Sequence, residues 1–145
     1  MADDSRYRLA PVRDARERNE AVRRGDLASA VGDARETEGE LAAARERTQL
    51  ARRALDAALA AAVPSPTTPE RLVIAERFVA RRRRELAELR DAELRAEAAH
   101  DERLGVVDNA RGRLARARAD RELIERHFAR WRETQLKLAE RRADD

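Results

Sequence analysis

Hydrophobic positions in the second half of the chain recur in alternating steps of three and four. From Leu72 these steps visit Leu72, Ala75, Val79, Arg82, Leu86, Leu89, Glu93, Ala96, His100, Arg103, Val107, Ala110, Leu114, Ala117, Arg121, Ile124, Phe128, Trp131, Gln135 and Leu138. Fourteen of the twenty are apolar, in one unbroken phase, which is the signature of a coiled-coil seam. The first half repeats the pattern more weakly. Leu27, Ala34, Leu41, Thr48, Leu55 and Ala62 lie seven apart, and Ala30, Ala44, Ala51 and Ala58 fill the intermediate seam positions. Further upstream, Leu9, Val12, Ala15, Asn19 and Val22 follow a different phase, which predicts a register shift at residues 23–26.

Between the two periodic halves lies AAVPSPTTPERL, residues 61–72, with three of the four prolines of the chain. Pro64 disfavours the helical region for Val63 and cannot continue a helix, so the first helix is expected to end at about Val63. Thr68 suits an N-cap, Pro69 the first helical position, and Glu70 the positive end of the helix dipole. A connection of about five residues forces the helices antiparallel. The expectation is all-α: a single domain over 1–145 forming a long two-helix antiparallel coiled-coil hairpin with a Pro-rich tip at about 64–69. Its parts are a helix over about 5–63, a loop over about 64–68 and a helix over about 69–142. Pairing symmetric about the loop makes facing residue numbers add to about 133 and sets Leu9 beside Ile124. At 1.5 Å per residue the second helix is roughly 110 Å long against roughly 85–90 Å for the first. It is therefore expected to overhang its partner from near Trp131 through Gln135, Lys137 and Leu138.

Composition changes this picture only in part. Charged residues make up 42% and aromatics 3%, and much of the remaining apolar content is Ala, so a thick core is excluded and intrinsic disorder is the main competitor. Ala, Arg, Leu and Glu are strong helix formers and the charges are mixed in sign, which favours long helices. Thirty-two basic residues, all Arg except Lys137, face 29 acidic ones for a net charge of +3. A nucleic-acid binder segregates a basic face and adds stacking aromatics, so no nucleic-acid partner is expected. There is no Cys, hence neither a disulfide framework nor a thiolate site. The start has no apolar leader region, and the longest weakly apolar run, residues 57–63, is far too short to span a bilayer, so a soluble protein with no membrane insertion is expected.

Candidate chemistry is sparse. Glu97 and His100 have the Glu-x-x-His spacing of di-iron helical bundles, but His127 has Ile124 three residues before it, so the second motif such a site needs is missing. A polar seam residue that fixes register is the preferred reading of His100. No phosphate loop, serine elbow or carboxylate pair is recognisable, and neither enzyme nor cofactor chemistry is expected. In the run of residues 81–84, Arg81 with Glu85 and Arg84 with Glu88 are expected as i,i+4 pairs on a solvated face. The five glycines, Gly25, Gly32, Gly39, Gly105 and Gly112, all fall on one outer heptad position. They are either tolerated there or permit bending and close approach of another body. Phe128 and Trp131 are successive seam positions near the open end; they read either as core against Tyr7, Leu9 and Ala10 or as anchors for a partner.

Two segments resemble a known family. YRLAPVRDARERNEAVRRGDLASAV near the N-terminus looks like the start of the stalk proteins of bacterial type III secretion, flagellar FliJ and its injectisome counterpart YscO. The C-terminal ADRELIERHFARWRETQLKLAERRADD, a Trp amid Arg and Glu with an acidic end, is similar to the injectisome branch. The resemblance implies a non-enzymatic central stalk whose open end enters a hexameric secretion ATPase. It further implies contact with the cytoplasmic domain of the export gate and with secretion chaperones, in the bacterial cytoplasm at the base of the secretion apparatus, with a monomer when isolated. Carried onto this sequence, the ATPase-binding residues are expected to be Arg6, Tyr7, Arg8, Arg126, Arg130, Trp131, Arg132 and Lys137. A gate-binding face is expected at Arg81, Arg84, Glu88 and Arg95. The alternative is a generic coiled-coil scaffold or adaptor that self-associates into a four-helix bundle.

Overall fold

The computed structural model describes residues 6–62 and 68–144 and contains two helices, α1 (Ala10–Ala61) and α2 (Pro69–Asp144). They pack against each other as an all-α helical hairpin, with no strand among the described residues. Of the expected loop over about 64–68, residues 64–67 with Pro64 and Pro66 lie outside the described residues, as does the expected end of the first helix at Val63.

Proline chemistry sets the helix starts. α1 begins at Ala10, not near residue 5. A helix running through from residue 5 would need the Pro11 N–H to bond back to Tyr7, and Pro11 has none, so the helix can begin only within a turn of it. The Leu9 carbonyl accepts the first helical bond from the Arg13 N–H at 2.9 Å, and Ala10 N–H closes a turn onto the Tyr7 carbonyl at 3.1 Å. α2 starts as the residues require. Thr68 Oγ1 accepts the Arg71 N–H at 3.4 Å, its carbonyl accepts the Leu72 N–H at 3.1 Å, and Pro69 is the first helical residue. The helix runs on to Asp144, with Arg141 and Arg142 in its last turn, where cations suit the negative dipole end.

The chain falls into two compact units. In the unit of Gly32–Gly105, Ala34, Leu41, Ala44, Ala51 and Ala58 of α1 and Val79 and Leu86 of α2 are buried, with Leu55 and Leu89 half-buried. Polar seam positions find partners across the hairpin. His100 Nδ1 lies 3.1 Å from Thr37 Oγ1, and Thr48 Oγ1 shares its proton between the carbonyls of Ala44 at 3.1 Å and Leu89 at 3.3 Å. Facing residue numbers therefore add to 137, four more than loop symmetry predicts. That offset explains Leu72, expected in the seam but 44% exposed: its facing position falls past the end of α1 at Ala61.

In the unit of Met1–Val31 and Val106–Asp145, Ala30, Val107, Ala110, Leu114 and Ala117 are buried and Leu27, Ile124 and Phe128 half-buried. The predicted register shift at residues 23–26 does not occur. Stepping back by sevens from Leu27 reaches Glu20, only 4% exposed, and then Arg13, which is half-buried along with Arg23. Of the phase expected upstream, Leu9, Val12, Ala15 and Val22 are exposed and Asn19 alone is half-buried. The seam of α2 keeps one phase through Arg121, Ile124 and Phe128, and a regular helix cannot turn its apolar stripe inward without unwinding. Charge layers fill the inner positions instead. Glu20 meets Arg121 and Arg118 across the hairpin and Arg24 on its own helix; Arg16 meets Asp120 at 3.0 Å and Arg13 meets Glu125 at 2.6 Å. Tyr7 is the buried residue at this end of the seam, and Leu9 is 37% exposed.

A Cβ added at any of the five glycines meets no atom within 4 Å, and none of them has positive φ. Each glycine thus costs helix stability without a local steric reason. Gly32→Ala and Gly112→Ala are each expected to stabilise their unit by about 0.5–1 kcal/mol, read as a higher urea midpoint by circular dichroism with an unchanged native spectrum.

Candidate functional site

The most distinctive site lies at the open end of the hairpin, where a bend and turn over residues 6–9 carry Tyr7 back over α2. Tyr7 is buried, and its hydroxyl lies 2.8 Å from His127 Nδ1. Its ring centroid is 5.0 Å from that of Phe128, edge-on, and 5.2 Å from that of Trp131; Phe128 and Trp131 stack at 5.8 Å. Aromatic pairs at such separations add to simple area burial. The Arg13 guanidinium sits 4.4 Å from the Phe128 centroid, and that of Arg132 6.0 Å, within cation–π range. The core reading of Phe128 and Trp131 is therefore satisfied by Tyr7, while Trp131 stays partly open to solvent.

Beside this cluster runs an open groove of about 350 Å³ lined by Arg6, Tyr7, Arg8, Leu9, His127, Trp131 and Gln135. An apolar floor with a cationic rim suits an apolar or aromatic side chain flanked by acidic ones. Four of the expected ATPase-binding residues, Arg6, Tyr7, Arg8 and Trp131, thus meet in one groove, and Arg132 reaches the Phe128 face. Arg130 is exposed on α2. Arg126 and Lys137 are not drawn into the groove: they pair with Glu122 at 3.6 Å and Glu133 at 2.7 Å along their own helix. Sequence reasoning gave His127 no role; only the fold of Tyr7 across the hairpin reveals it.

The expected gate face is less organised. Arg81, Arg84, Glu88 and Arg95 are all exposed, and Arg81, Glu88 and Arg95, seven apart, share one side of α2. Neither expected i,i+4 pair forms. Arg82, a seam position, takes Glu85 at 2.8 Å and lies 5.1 Å from the Phe78 centroid, while Arg84 donates to the Ala80 carbonyl at 3.5 Å. Glu97 and His100 part company as well, Glu97 lying 3.7 Å from Arg45 and His100 against Thr37. Among the described residues no group of three His, Cys, Asp or Glu is placed to hold a metal, and no helix is long and apolar enough to cross a membrane.

Two carboxylates have depressed proton affinities. Glu125 titrates below the usual range because Arg13 donates a hydrogen bond to it, with partial desolvation opposing and the charges of Arg13 and Arg121 assisting. Glu133 shifts the same way through its hydrogen bond from Lys137. Compared with known proteins, the chain matches no family model, no curated protein and no solved structure.

The charge layers generate two expectations. Glu20→Ala leaves Arg24, Arg118 and Arg121 without their shared acceptor and should lower stability by roughly 1–3 kcal/mol, measured by urea titration. For Glu125 the folded proton affinity lies below the unfolded one. Its contribution is therefore present above the ordinary glutamate range and lost as pH falls through its folded value. Glu125→Gln should accordingly flatten the acid limb of a plot of thermal midpoint against pH, leaving the neutral-to-alkaline limb parallel to wild type.

Proposed function

We propose that the chain is a non-enzymatic central stalk of a bacterial type III secretion apparatus, coupling the hexameric secretion ATPase to the export gate and supporting protein export from the cytoplasm. The reading rests on the two resembling segments together with one observation: these N- and C-terminal segments converge in the Tyr7–Trp131 cluster, with its cation-rimmed groove at the open end. A stalk needs an end that a ring of subunits can grip by many weak contacts. Exposed guanidiniums around a partly open Trp meet that need, since such contacts form and exchange readily. Arg6, Arg8, Arg130, Trp131 and Arg132 are the residues assigned to the ATPase, Arg81, Glu88 and Arg95 to the gate, and secretion chaperones are further partners.

A second reading, a self-associating scaffold, draws support from Ile74 and Phe78 in the unit of Gly32–Gly105, which are 66% and 42% exposed on neighbouring turns. Light scattering separates the two: a stable dimer that Ile74→Glu dissolves supports the scaffold, and a concentration-independent monomer supports the stalk.

The direct test is stimulation of the cognate secretion ATPase by the purified hairpin. Trp131→Ala and the pair Arg130→Glu/Arg132→Glu are expected to weaken binding at least about tenfold, the scale of an interface anchor, with helicity by circular dichroism retained. Full stimulation by both variants would overturn the assignment of this end.

A further inference from the structure

α1 carries two stripes at heptad spacing, and the hairpin uses only one. The inner stripe at the open end is polar, made of Arg13, Arg16, Glu20 and Arg23. The outer one, Val12, Ala15 and Val22 with the polar, half-buried Asn19 between them, repeats in steps of three, four and three. Val12 is 41% and Val22 58% exposed. Leu123 of α2, 66% exposed, extends this outer surface: it lies one turn from Asp120, which is bound to Arg16. Exposed apolar residues at seam spacing, Val12, Ala15 and Val22, while charges occupy the inside, are the arrangement of a helix awaiting another helix.

Its flanks define the chemistry of that helix. Arg18 lies three residues past Ala15 and four before Val22, on the edge of the stripe. Arg116 lies seven residues before Leu123 and shares its face, and Arg113 lies seven before Asp120. All three guanidiniums are exposed, and none makes a hydrogen bond or ion pair with the described residues. Over residues 6–31 and 106–144, eighteen Arg and Lys stand against eleven Asp and Glu. A second copy seated two-fold on this surface would set those arginines against their own kind, which disfavours self-pairing.

We propose that the face formed by Val12, Ala15, Asn19, Val22 and Leu123 docks an amphipathic α-helix of a partner protein, whose heptad-spaced apolar residues fill the stripe and whose glutamates or aspartates meet Arg18, Arg113 and Arg116. The stripe runs over residues 12–22, about one and a half heptads, so the partner helix is at least that long. This assignment stands independently of the stalk reading, which concerns the groove at Tyr7 and Trp131.

The test uses the full chain and a labelled synthetic 21-residue helix with Leu at its seam positions and Glu on both flanks, followed by fluorescence anisotropy. Saturable one-to-one binding that weakens with added salt is expected, with at least tenfold weaker binding of the same peptide carrying Lys flanks. Val12→Glu/Val22→Glu should weaken binding by at least tenfold. Both sites are exposed, so circular dichroism and the thermal midpoint should stay at wild-type values. Equal binding of Glu- and Lys-flanked peptides, undiminished binding by the double variant, or no binding up to about 1 mM, the weak end of specific association, would overturn the proposal. So would a wild-type dimer in sedimentation equilibrium that the double variant dissolves, since the stripe would then belong to a second copy.

Discussion

Every layer of this molecule answers to one constraint, the phase of the α2 seam. With only two helices among the described residues there is no third layer there, so a large apolar side chain either sits between them or faces water. α2 presents its seam in one unbroken phase from Val79 to Trp131, and α1 has to answer residue by residue. Alanines answer through most of its length, letting the backbones approach closely while burying little area. Where α1 offers Thr37, Thr48, Glu20 or Arg13, the facing positions supply His100, the Leu89 carbonyl, Arg121 and Glu125. Register follows from these pairings and not from the loop, which is why Leu72 is stranded in solvent beyond the end of α1.

What could be read from residues alone follows the same division. The fold was legible because seven-residue periodicity and the prolines at 64, 66 and 69 are local signals, each interpretable without knowing its partner. The cap at Thr68 is of that kind. The register of the open end was not legible, because the apolar side of α1 there is the outer side. Leu9, Val12 and Val22 look like a seam when one helix is read by itself; only the guanidinium and carboxylate partners on α2 reveal that Arg13, Arg16 and Glu20 are the inner set. The i,i+4 pair expected between Arg81 and Glu85 fails for a related reason, since Arg82 is held near the seam against Phe78 and takes Glu85, while Arg84 turns back to the Ala80 carbonyl instead of to Glu88. The aromatic site was mostly legible: Phe128 and Trp131 fall on the heptad and Tyr7 stood among their expected partners, whereas the part of His127 depends on the non-helical turn at residues 6–9.

Charge shows how averaging over the chain hides structure. The net value of +3 reads as well-mixed, yet within the unit of Gly32–Gly105 the residues 32–44 and 91–105 hold nine Asp and Glu against three Arg, while residues 45–90 hold eleven Arg against six Glu and Asp. Because the helices run antiparallel, charges distant in sequence fall at one level of the hairpin and add. A contact surface is built from such levels, so the sign that a partner meets depends on position along α1 and α2 far more than on composition.

The open end combines weak cohesion with strong discrimination. Exposed ion pairs contribute little net stability, because hydration and side-chain entropy offset most of the Coulombic gain. Glu20 is the exception in burial, and mispairing it would strand a carboxylate away from water, which makes wrong registers costly. Such layers choose the register without holding the end firmly shut. Firm closure falls instead to Tyr7, whose ring covers Phe128 and Trp131 and whose hydroxyl reaches His127. The side chains that close the hairpin are therefore the same ones that line its groove. A ligand that grips Trp131 acts on the contact that holds the turn at residues 6–9 against α2, so binding at this end and local release of that turn are coupled equilibria.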